Sequence, residues 1–351
     1  MNIEVREKVQ DYYGNVLQGT DDLKTSACCP AEAPPIHVRD LLKNIHSTVK
    51  DRFYGCGSPI PPAATGCTVL DLGCGTGRDA YILSQVVGQD GQVIGVDMTD
   101  EQLTVANDHI DWHMEKFGYT KPNVKFIKGF IEDLQTAGIA DNSIDVVISN
   151  CVINLSSNKE KVFREIYRVL KPGGELYFSD VFASRRIPED LQKDKVLLGE
   201  CLGGALYKED FRRMMAGIGI EDIRITTSRI IGLDDPEVKA KIGMVDFYSM
   251  TVRAFKVELE DICENYGHVA YYKGTIPEFP HAFALDDHHE FKTGMPVPVC
   301  GNTANMLSET RFAKHFRVDG DFSTHFGVFD CGPSGQDGGQ DTDTAEPAGC
   351  C

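Results

Sequence analysis

The stretch that decides the fold is Val69-Leu70-Asp71-Leu72-Gly73-Cys74-Gly75-Thr76-Gly77-Arg78. It is an apolar run that ends in an acid and continues into a glycine-rich turn. A second apolar run, QVIGVD at 92–97, follows and also ends in an acid. This pattern predicts a strand, a glycine turn, a helix and a second strand with a terminal carboxylate, which is the first unit of a nucleotide-binding parallel sheet.

The form of the glycine motif indicates which ligand the turn binds. Phosphate-binding turns read G-x-G-x-x-G and aim a helix N-terminus at the anion, whereas this turn reads D-x-G-x-G-x-G. The carboxylate of Asp71 would repel a pyrophosphate but suits a cation, so we predict S-adenosylmethionine, whose sulfonium is positive. Gly73, Gly75 and Gly77 let the backbone approach the ligand, and Asp97 accepts hydrogen bonds from ribose hydroxyls. The alternative is a tight turn that binds no ligand.

Apolar periodicity and turn signals place the rest of the sheet. We expect strands at 67–72, 92–96, 124–127, 144–149 and 175–180, and helices at 78–86, 99–117 and 158–170. Such alternation implies a parallel α/β sheet of the Rossmann type, covered on both faces. The expected divisions are an N-terminal cysteine-bearing segment at 1–35, a cofactor-binding domain at 36–235, a smaller α+β domain at 236–329 and a disordered tail at 330–351.

Composition narrows the class of partner. The formal net charge of −18 argues against nucleic acid and against an anionic membrane surface, since both require clustered Lys and Arg. The charged start of the chain does not fit a secretory signal, and no apolar run has the length needed to span a bilayer. We therefore expect a cytoplasmic protein with a small substrate.

The chain has twelve cysteines, which in a reducing compartment bind metals, do chemistry or lie buried. Cys151 follows the fourth expected strand, at the edge where an open parallel sheet binds its ligands. Cys201 and Cys56 have glycine neighbours, and Cys28 lies in the irregular N-terminal segment. Each alone would be interpreted as a small buried hydrophobe. Several such cysteines around one cofactor site favour a thiolate-lined pocket for a soft acceptor.

At these residues the chain resembles the arsenite S-adenosylmethionine methyltransferases, over most of 9–320. The glycine motif is generic to class I methyltransferases, and the cysteine-bearing segments are specific to the family. The segments that carry the resemblance are YYG at 12–14, YGCG at 54–57, DLGCGTGRD at 71–79, VDMT at 96–99, SNCVINL at 149–155, GGELYFSD at 173–180 and GECLGGALY at 199–207.

The resemblance implies an arsenic site made of cysteines. Cys151 and Cys201 would hold As(III) through every methylation round, and Cys56 would be the third ligand. Cys28 would form a transient disulfide with Cys56, the spacing from YYG favouring Cys28 over the adjacent Cys29.

The resemblance also implies the donor site. Tyr54 would pack over the methionine tail of S-adenosylmethionine and Met98 would line the adenine. Ile131 and Glu132 would form the pocket for the adenine amine, and Asn150 would touch the donor beside Cys151.

The implied activity is methylation of thiol-bound As(III), a detoxification reaction carried out by a monomer with an external thiol reductant such as thioredoxin or glutathione. Two alternatives stay open: a methyltransferase of an organic acceptor with structural cysteines, and a non-catalytic thiol protein that sequesters metalloids. The cluster DDHHE at 286–290 is interpreted as an exposed turn. The terminal pair Cys350-Cys351 either captures arsenite or is idle.

Overall fold

The structure, a computed structural model, describes residues 34–53, 55–194, 196–197 and 201–331. Several predictions fall outside these ranges. They concern the segment 1–33, the tail from residue 332 onward, and the residues Cys28, Cys29, Tyr54, Cys350 and Cys351.

Nine α-helices are found in the described ranges. In chain order they are α1 Ile36–Leu42, α2 Ser47–Lys50, α3 Arg78–Val87, α4 Asp100–Asp108, α5 Ile110–Phe117, α6 Lys159–Val169, α7 Lys208–Ala216, α8 Pro236–Ile242 and α9 Gly301–Ser308. The single helix expected at 99–117 is therefore two, because the backbone at His109 (φ −106°, ψ 5°) leaves the helical region between α4 and α5.

The strands fall into one large sheet and two small ones. The large sheet contains β1 Thr68–Leu72, β2 Gln92–Asp97, β3 Val124–Lys128, β4 Ile144–Asn150, β5 Leu170–Ala183, β6 Leu206–Tyr207, β7 Ile223–Ile231 and β8 Phe247–Phe255. The small sheets contain β9 His268–Tyr272, β10 Ala282–Ala284, β11 Glu290–Lys292, β12 Pro296–Val299 and β13 Phe316–Asp319.

The large sheet has the order β3-β2-β1-β4-β5-β8-β7, with the short β6 beside β5. The five expected strands run parallel, as predicted for a Rossmann-type sheet. The sheet extends beyond these five strands, since β8 is antiparallel to β5 and β7 is antiparallel to β8. Antiparallel neighbours do not require a crossover helix, so the strand–helix alternation that carried the prediction does not extend to this edge.

Strand β8 belongs to the large sheet, although it lies after residue 236, where we expected the C-terminal domain to begin. All but one of its nine residues are buried, which is typical of an interior strand with both faces covered. The segment from β9 to β13 forms a separate small unit, with a three-stranded antiparallel sheet β12-β9-β13 and a two-stranded sheet β10-β11.

The small unit is attached to the large sheet through a buried carboxylate. Glu175 of β5 accepts a hydrogen bond from Arg253 Nε at 2.7 Å and forms an ion pair with Arg311. Arg311 also donates to the Pro62 carbonyl at 2.9 Å. Because Arg311 lies beyond β12 in the chain, these contacts fix the position of the small unit on the sheet.

Within the described ranges, none of the helices combines the length and the apolar character needed to cross a membrane.

Candidate active site

A pocket opens at the carboxyl ends of β1, β2 and β4, the edge at which the sequence predicted ligand binding. The expected site residues that line it are Asp71, Gly73, Gly75, Asp97, Met98, Ile131, Glu132, Asn150 and Cys151. Gly77 is not part of the lining. It has a left-handed backbone (φ 85°) and precedes α3, and a Cβ there would lie 2.6 Å from the Phe126 ring. Gly77 therefore serves the geometry of the turn.

The pocket wall also depends on a missing side chain at Gly73. Gly73 has φ 69°, and a Cβ there would lie 2.4 Å from Cγ1 of Val152, the residue after Cys151. Glycine is required on both counts, conformation and space.

Asp71 is the electrostatic feature of the pocket. The residue is 3% exposed, and its Oδ2 has no hydrogen-bond partner within the described part of the chain. Burial, and then the negative charges of Asp79 and Asp97, raise the pKa of the Asp71 carboxyl well above its ordinary value. A buried acceptor without a partner is costly, and a cationic ligand would satisfy it, so the site fits the sulfonium and amino group of S-adenosylmethionine.

Asp97 connects two turns whose residues line the pocket. Its Oδ2 accepts the Gly75 N–H at 2.9 Å, and its Oδ1 accepts the Thr99 N–H at 2.9 Å. Burial raises the pKa of the Asp97 carboxyl, while these hydrogen bonds oppose the shift. The carboxylate therefore shapes the glycine turn in addition to the ribose contact expected for it.

Glu132 also lines the pocket; it is buried and accepts a hydrogen bond from Ser156 Oγ at 2.6 Å. Met98 and Ile131 line the pocket as well. Their expected contacts with adenine stay predictions.

Three of the predicted cysteines converge beside this pocket. Cys56 and Cys151 are joined by a disulfide with a Cα–Cα distance of 5.8 Å. The thiol of Cys201 donates to the Cys151 carbonyl at 3.5 Å. All three residues are buried. The transient Cys28–Cys56 disulfide expected during turnover stays a prediction, because Cys28 lies outside the described residues.

Cys151 and Cys201 share an uncommon backbone conformation, with φ 59° and φ 61°. Left-handed conformations cost energy for residues with a Cβ and concentrate at functional sites. Only two further non-glycine residues in the described ranges have positive φ, Ala63 and Asn142. The strain therefore falls on the two residues expected to hold arsenic throughout the reaction.

The loop that carries Cys56 packs closely on the sheet, because the glycines on both sides of Cys56 leave room for Ser179 and Asn150. A Cβ at Gly57 would lie 2.4 Å from Ser179 Oγ, and one at Gly55 would lie 2.7 Å from Asn150 Cγ. The Cys56 carbonyl accepts a hydrogen bond from Ser249 Oγ at 2.8 Å. The glycines on both sides of Cys56 are thus required for close packing of this loop.

Asp180 is a residue that the sequence analysis did not place in the site. A carboxylate oxygen of Asp180 lies within 4.8 Å of the sulfurs of Cys56 and Cys151. Burial raises its pKa to about 7, although hydrogen bonds from Val181 and Asn154 and the charge of Lys159 oppose the shift. Burial in turn lowers the pKa of Lys159 to about 8. The cysteines therefore have a proton acceptor that titrates near neutrality.

Comparison with known proteins decides the family. An arsenite methyltransferase from Aquipseudomonas alcaligenes is 54% identical, over 93% of this chain and 95% of that protein. The chain belongs to the arsenite methyltransferase family. The human arsenite methyltransferase is 44% identical over 90% of this chain and 84% of its own length. The crystal structure of an arsenic(III) S-adenosylmethionine methyltransferase from Chlamydomonas reinhardtii is 51% identical with a TM-score of 0.83, and covers 85% of this chain and 100% of that one.

Two family models match separate parts of this chain. A methyltransferase domain matches residues 63–219, and an arsenite methyltransferase C-terminal domain matches 266–331. The chain is an S-adenosylmethionine-dependent methyltransferase, as the sequence predicted, with the class I fold and a mixed sheet.

Three further residues that line the pocket were not predicted from the sequence: Phe53, Arg78 and Cys74. The Arg78 guanidinium carbon lies 3.2 Å above the centre of the Phe53 ring, and both side chains line the pocket. Cys74 also lines it, but burial raises its pKa well above the ordinary value. The raised pKa favours the neutral thiol over the thiolate, so we assign Cys74 no role in the reaction.

The interpretation of 286–290 as an exposed turn is wrong in part. Asp286 is buried, and its carboxylate binds Arg224 Nη1 at 3.1 Å and His289 Nδ1 at 2.8 Å. The exposed turn was expected because the side chains of adjacent histidines point apart. The partner of Asp286, Arg224, is distant in the chain and could not be identified from the sequence.

Proposed function

We propose that this enzyme methylates As(III) held by the thiolates of Cys56, Cys151 and Cys201. The observation that carries the proposal is the position of Cys151, which lines the cofactor pocket while contacting both other cysteines. Arsenic bound to the Cys151 sulfur would lie beside the cofactor pocket, in which the Asp71 carboxylate would bind the positive charge of S-adenosylmethionine.

Arsenite binding requires the reduced form of the site, because a sulfur in the Cys56–Cys151 disulfide is not available as an arsenic ligand. Each As–OH is then exchanged for As–S, and the thiol proton leaves with hydroxide as water. Asp180 lies close enough to the Cys56 and Cys151 sulfurs to take a proton from an attacking thiol, because its pKa of about 7 matches this task at neutral pH.

When bound, S-adenosylmethionine supplies an electrophilic methyl group, which the arsenic lone pair takes up. The chain contributes position: Asp71 holds the positive end of the cofactor, Asp97 keeps the glycine turn in shape, and Cys151 sets where arsenic lies. Holding reactants in line contributes up to roughly 7–11 kcal/mol to such a reaction.

Methyl transfer leaves arsenic oxidised by two electrons. Two cysteine thiolates that join in a disulfide return these electrons, so As(III) is restored and one disulfide is formed for each methyl group. Cys56 is suited to this role, since it already occurs as a disulfide partner, and we propose Cys28 as an additional partner. An external thiol, such as thioredoxin or glutathione, then reduces the disulfide.

The test is methylation of arsenite by the full chain with S-adenosylmethionine and a thiol reductant, followed by chromatographic separation of arsenic species. The Cys201→Ser variant is expected to bind S-adenosylmethionine normally and to lose methylation. Cys67→Ser is the matched control, since Cys67 is a half-buried thiol outside the site. Full activity of Cys201→Ser would refute the proposed ligand set.

The same assay separates the alternatives. A methyltransferase of an organic acceptor would bind the donor and leave arsenite unchanged. A sequestering protein would bind arsenite without consuming S-adenosylmethionine. We also propose that the enzyme works as a cytoplasmic monomer, which sedimentation of the purified chain and cell fractionation test.

A further inference from the structure

A second group of three cysteines lies in the C-terminal unit, outside the site described above. The sulfurs of Cys263, Cys300 and Cys331 all lie within 4.8 Å of one another, and none is in a disulfide. In the sequence the three are isolated from one another and form no recognisable motif. Only the fold brings them together.

Backbone hydrogen bonds hold the three cysteine-bearing segments side by side. The Cys263 carbonyl accepts the Phe329 N–H at 2.7 Å, and the Glu264 carbonyl accepts the Gly301 N–H at 2.9 Å. Glu264 also forms an isolated antiparallel bridge with Val328. The cluster is therefore built into the frame of the unit, and its sulfurs are held close before any ligand arrives.

Side-chain contacts orient the central cysteine. Cys300 is fully buried and caps α9, its sulfur accepting the Thr303 N–H at 3.4 Å. The guanidinium of Arg224 lies 4.0 Å from the same sulfur and is itself fixed by Asp222 at 2.6 Å. A positive charge at this distance favours a thiolate. Cys331 is half-buried, whereas Cys263 and Cys300 are buried.

We infer that Cys263, Cys300 and Cys331 form a second binding site, which takes a trivalent thiophilic metalloid, As(III), through three As–S bonds. Among the described residues the cluster comprises three ligand atoms and no fourth His, Cys, Asp or Glu. Structural zinc takes four such ligands in a tetrahedron, whereas As(III) completes a pyramid with three and keeps a lone pair on the fourth side.

Binding needs no oxidant or reductant. Three As–O bonds of arsenous acid are exchanged for three As–S bonds, and three thiol protons leave with three hydroxides as water. The choice of arsenite among thiophilic ions rests on the proposed function, because an arsenite methyltransferase meets this ion as its substrate. The bound ion would also link the chain at Cys331 to the rest of the unit.

The experiment removes the proposed catalytic thiols and the terminal ones from the full chain. The background variant carries Ser at positions 28, 29, 56, 151, 201, 350 and 351 and keeps the remaining five cysteines. After incubation with arsenite under a non-thiol reductant and gel filtration, elemental mass spectrometry is expected to find one arsenic per chain. Arsenite should also raise the Tm of this variant, since a ligand that binds only the folded state stabilises it.

Two further changes in this background decide the assignment. Cys331→Ser is expected to lower bound arsenic at least tenfold and to abolish the Tm shift, while Cys67→Ser changes neither. Cys331 is chosen because it is the least buried of the three, and Cys300→Ser gives a second measurement at the buried position. Retention of arsenic by Cys331→Ser, absence of arsenic in the background variant, or zinc that arsenite fails to displace would each overturn the inference.

The outcome is independent of the catalytic assay. The background variant lacks the proposed catalytic ligands, so arsenic bound to it reports only the second site. Methylation by the unaltered enzyme tests the proposed function separately. The two proposals therefore fail in different experiments.

Discussion

Asn150 holds Gly57 at both polar groups of its peptide units: the Asn150 Oδ1 accepts the Gly57 N–H at 3.2 Å, and the Asn150 Nδ2 donates to the Gly57 carbonyl at 3.0 Å. The same Nδ2 donates to Asp79 Oδ2 at 2.9 Å. One amide thus ties the loop of Cys56 to the strand end that carries Cys151. We regard Asn150 as a positioning residue for the arsenic ligands.

Replacing Asn150 with Ala is therefore expected to weaken arsenite methylation. The Gly57 peptide groups lose their partners at a cost of about 1–3 kcal/mol, so the Cys56 thiol spends less time in place and kcat/KM falls roughly tenfold or more. The measurement is the rate of methylation and the rate at which the Cys56–Cys151 disulfide forms. Asn44→Ala, which removes a half-buried amide bonded to Gln85, is the control. An unchanged rate of disulfide formation would contradict the positioning role.

A methyl group at Gly57 is expected to push the Cys56 loop off the sheet. The new Cβ would lie 2.4 Å from Ser179 Oγ, which is itself hydrogen-bonded to Thr251 at 2.8 Å. We expect Gly57→Ala to destabilise the fold by about 1–3 kcal/mol, as overpacking of close contacts does, and to lower methylation further than stability alone explains. Denaturant unfolding and activity are compared with Gly232→Ala, where the added Cβ meets its nearest neighbour at 3.7 Å. Equal free energies of unfolding and equal methylation rates in the two variants would contradict this prediction.

Changing Asp71 to Asn is expected to weaken S-adenosylmethionine binding without loosening the protein. Burial and the neighbouring carboxylates raise the pKa of Asp71 in the free enzyme. Ionised Asp71 therefore destabilises the folded protein when no cofactor is bound. Replacing it with Asn should leave the Tm of the cofactor-free protein unchanged or raise it at neutral pH. The buried partner of the cation is lost at the same time, at a cost of roughly 2 kcal/mol or more, which is about 30-fold in Kd.

Calorimetry tests the role of Asp71 by measuring the protons that are released when S-adenosylmethionine binds. A cation favours the charged carboxylate, so cofactor binding lowers the raised pKa of Asp71 and releases a proton. Affinity should therefore increase with pH up to the pKa of the empty site, and the released proton should vanish in Asp71→Asn. The exposed Asp90→Asn, where no cation is expected to bind, is the control. Proton release that persists in Asp71→Asn would assign the effect to another group.

Asp180 is expected to set the lower limb of the pH–rate profile. Its pKa is raised to about 7, so below that pH the carboxyl is protonated and unable to accept a thiol proton. Loading of arsenite onto Cys56 and Cys151 should slow as the pH falls through about 7. In Asp180→Asn the limb should disappear and loading should be slow at every pH, whereas the exposed Asp108→Asn retains it.

Titration of Asp180 should also make the stability of the folded protein depend on pH, in a direction that the raised pKa determines. The raised pKa means that protonated Asp180 favours the folded state. Its contribution is fully present below the ordinary carboxyl pKa of 3.8 and is lost as the pH rises through about 7. The difference in Tm between the wild-type protein and Asp180→Asn should change over this window. A constant difference would show that Asp180 does not titrate there.

Much of the donor site could be predicted from the sequence because its signals are local. The glycine turn at 71–77 requires backbone conformations and close approaches that few residues permit, and Asp97 ends a strand whose length and apolar character are evident. Neighbouring parallel strands end at the same edge, so Cys151 could be placed at the pocket without coordinates. The antiparallel strands β7 and β8 could not be placed, since their pairing depends on partners far away in the chain.

The sequence by itself determined the Rossmann-type sheet, the cofactor pocket and the cysteines beside it, because short-range periodicity and turn chemistry suffice for these features. The tertiary structure alone decided that Cys56 pairs with Cys151, that Asp180 faces both sulfurs, and that Cys263, Cys300 and Cys331 meet. These groups are brought together by long-range packing, and the burial that shifts their pKa values exists only once the chain has folded.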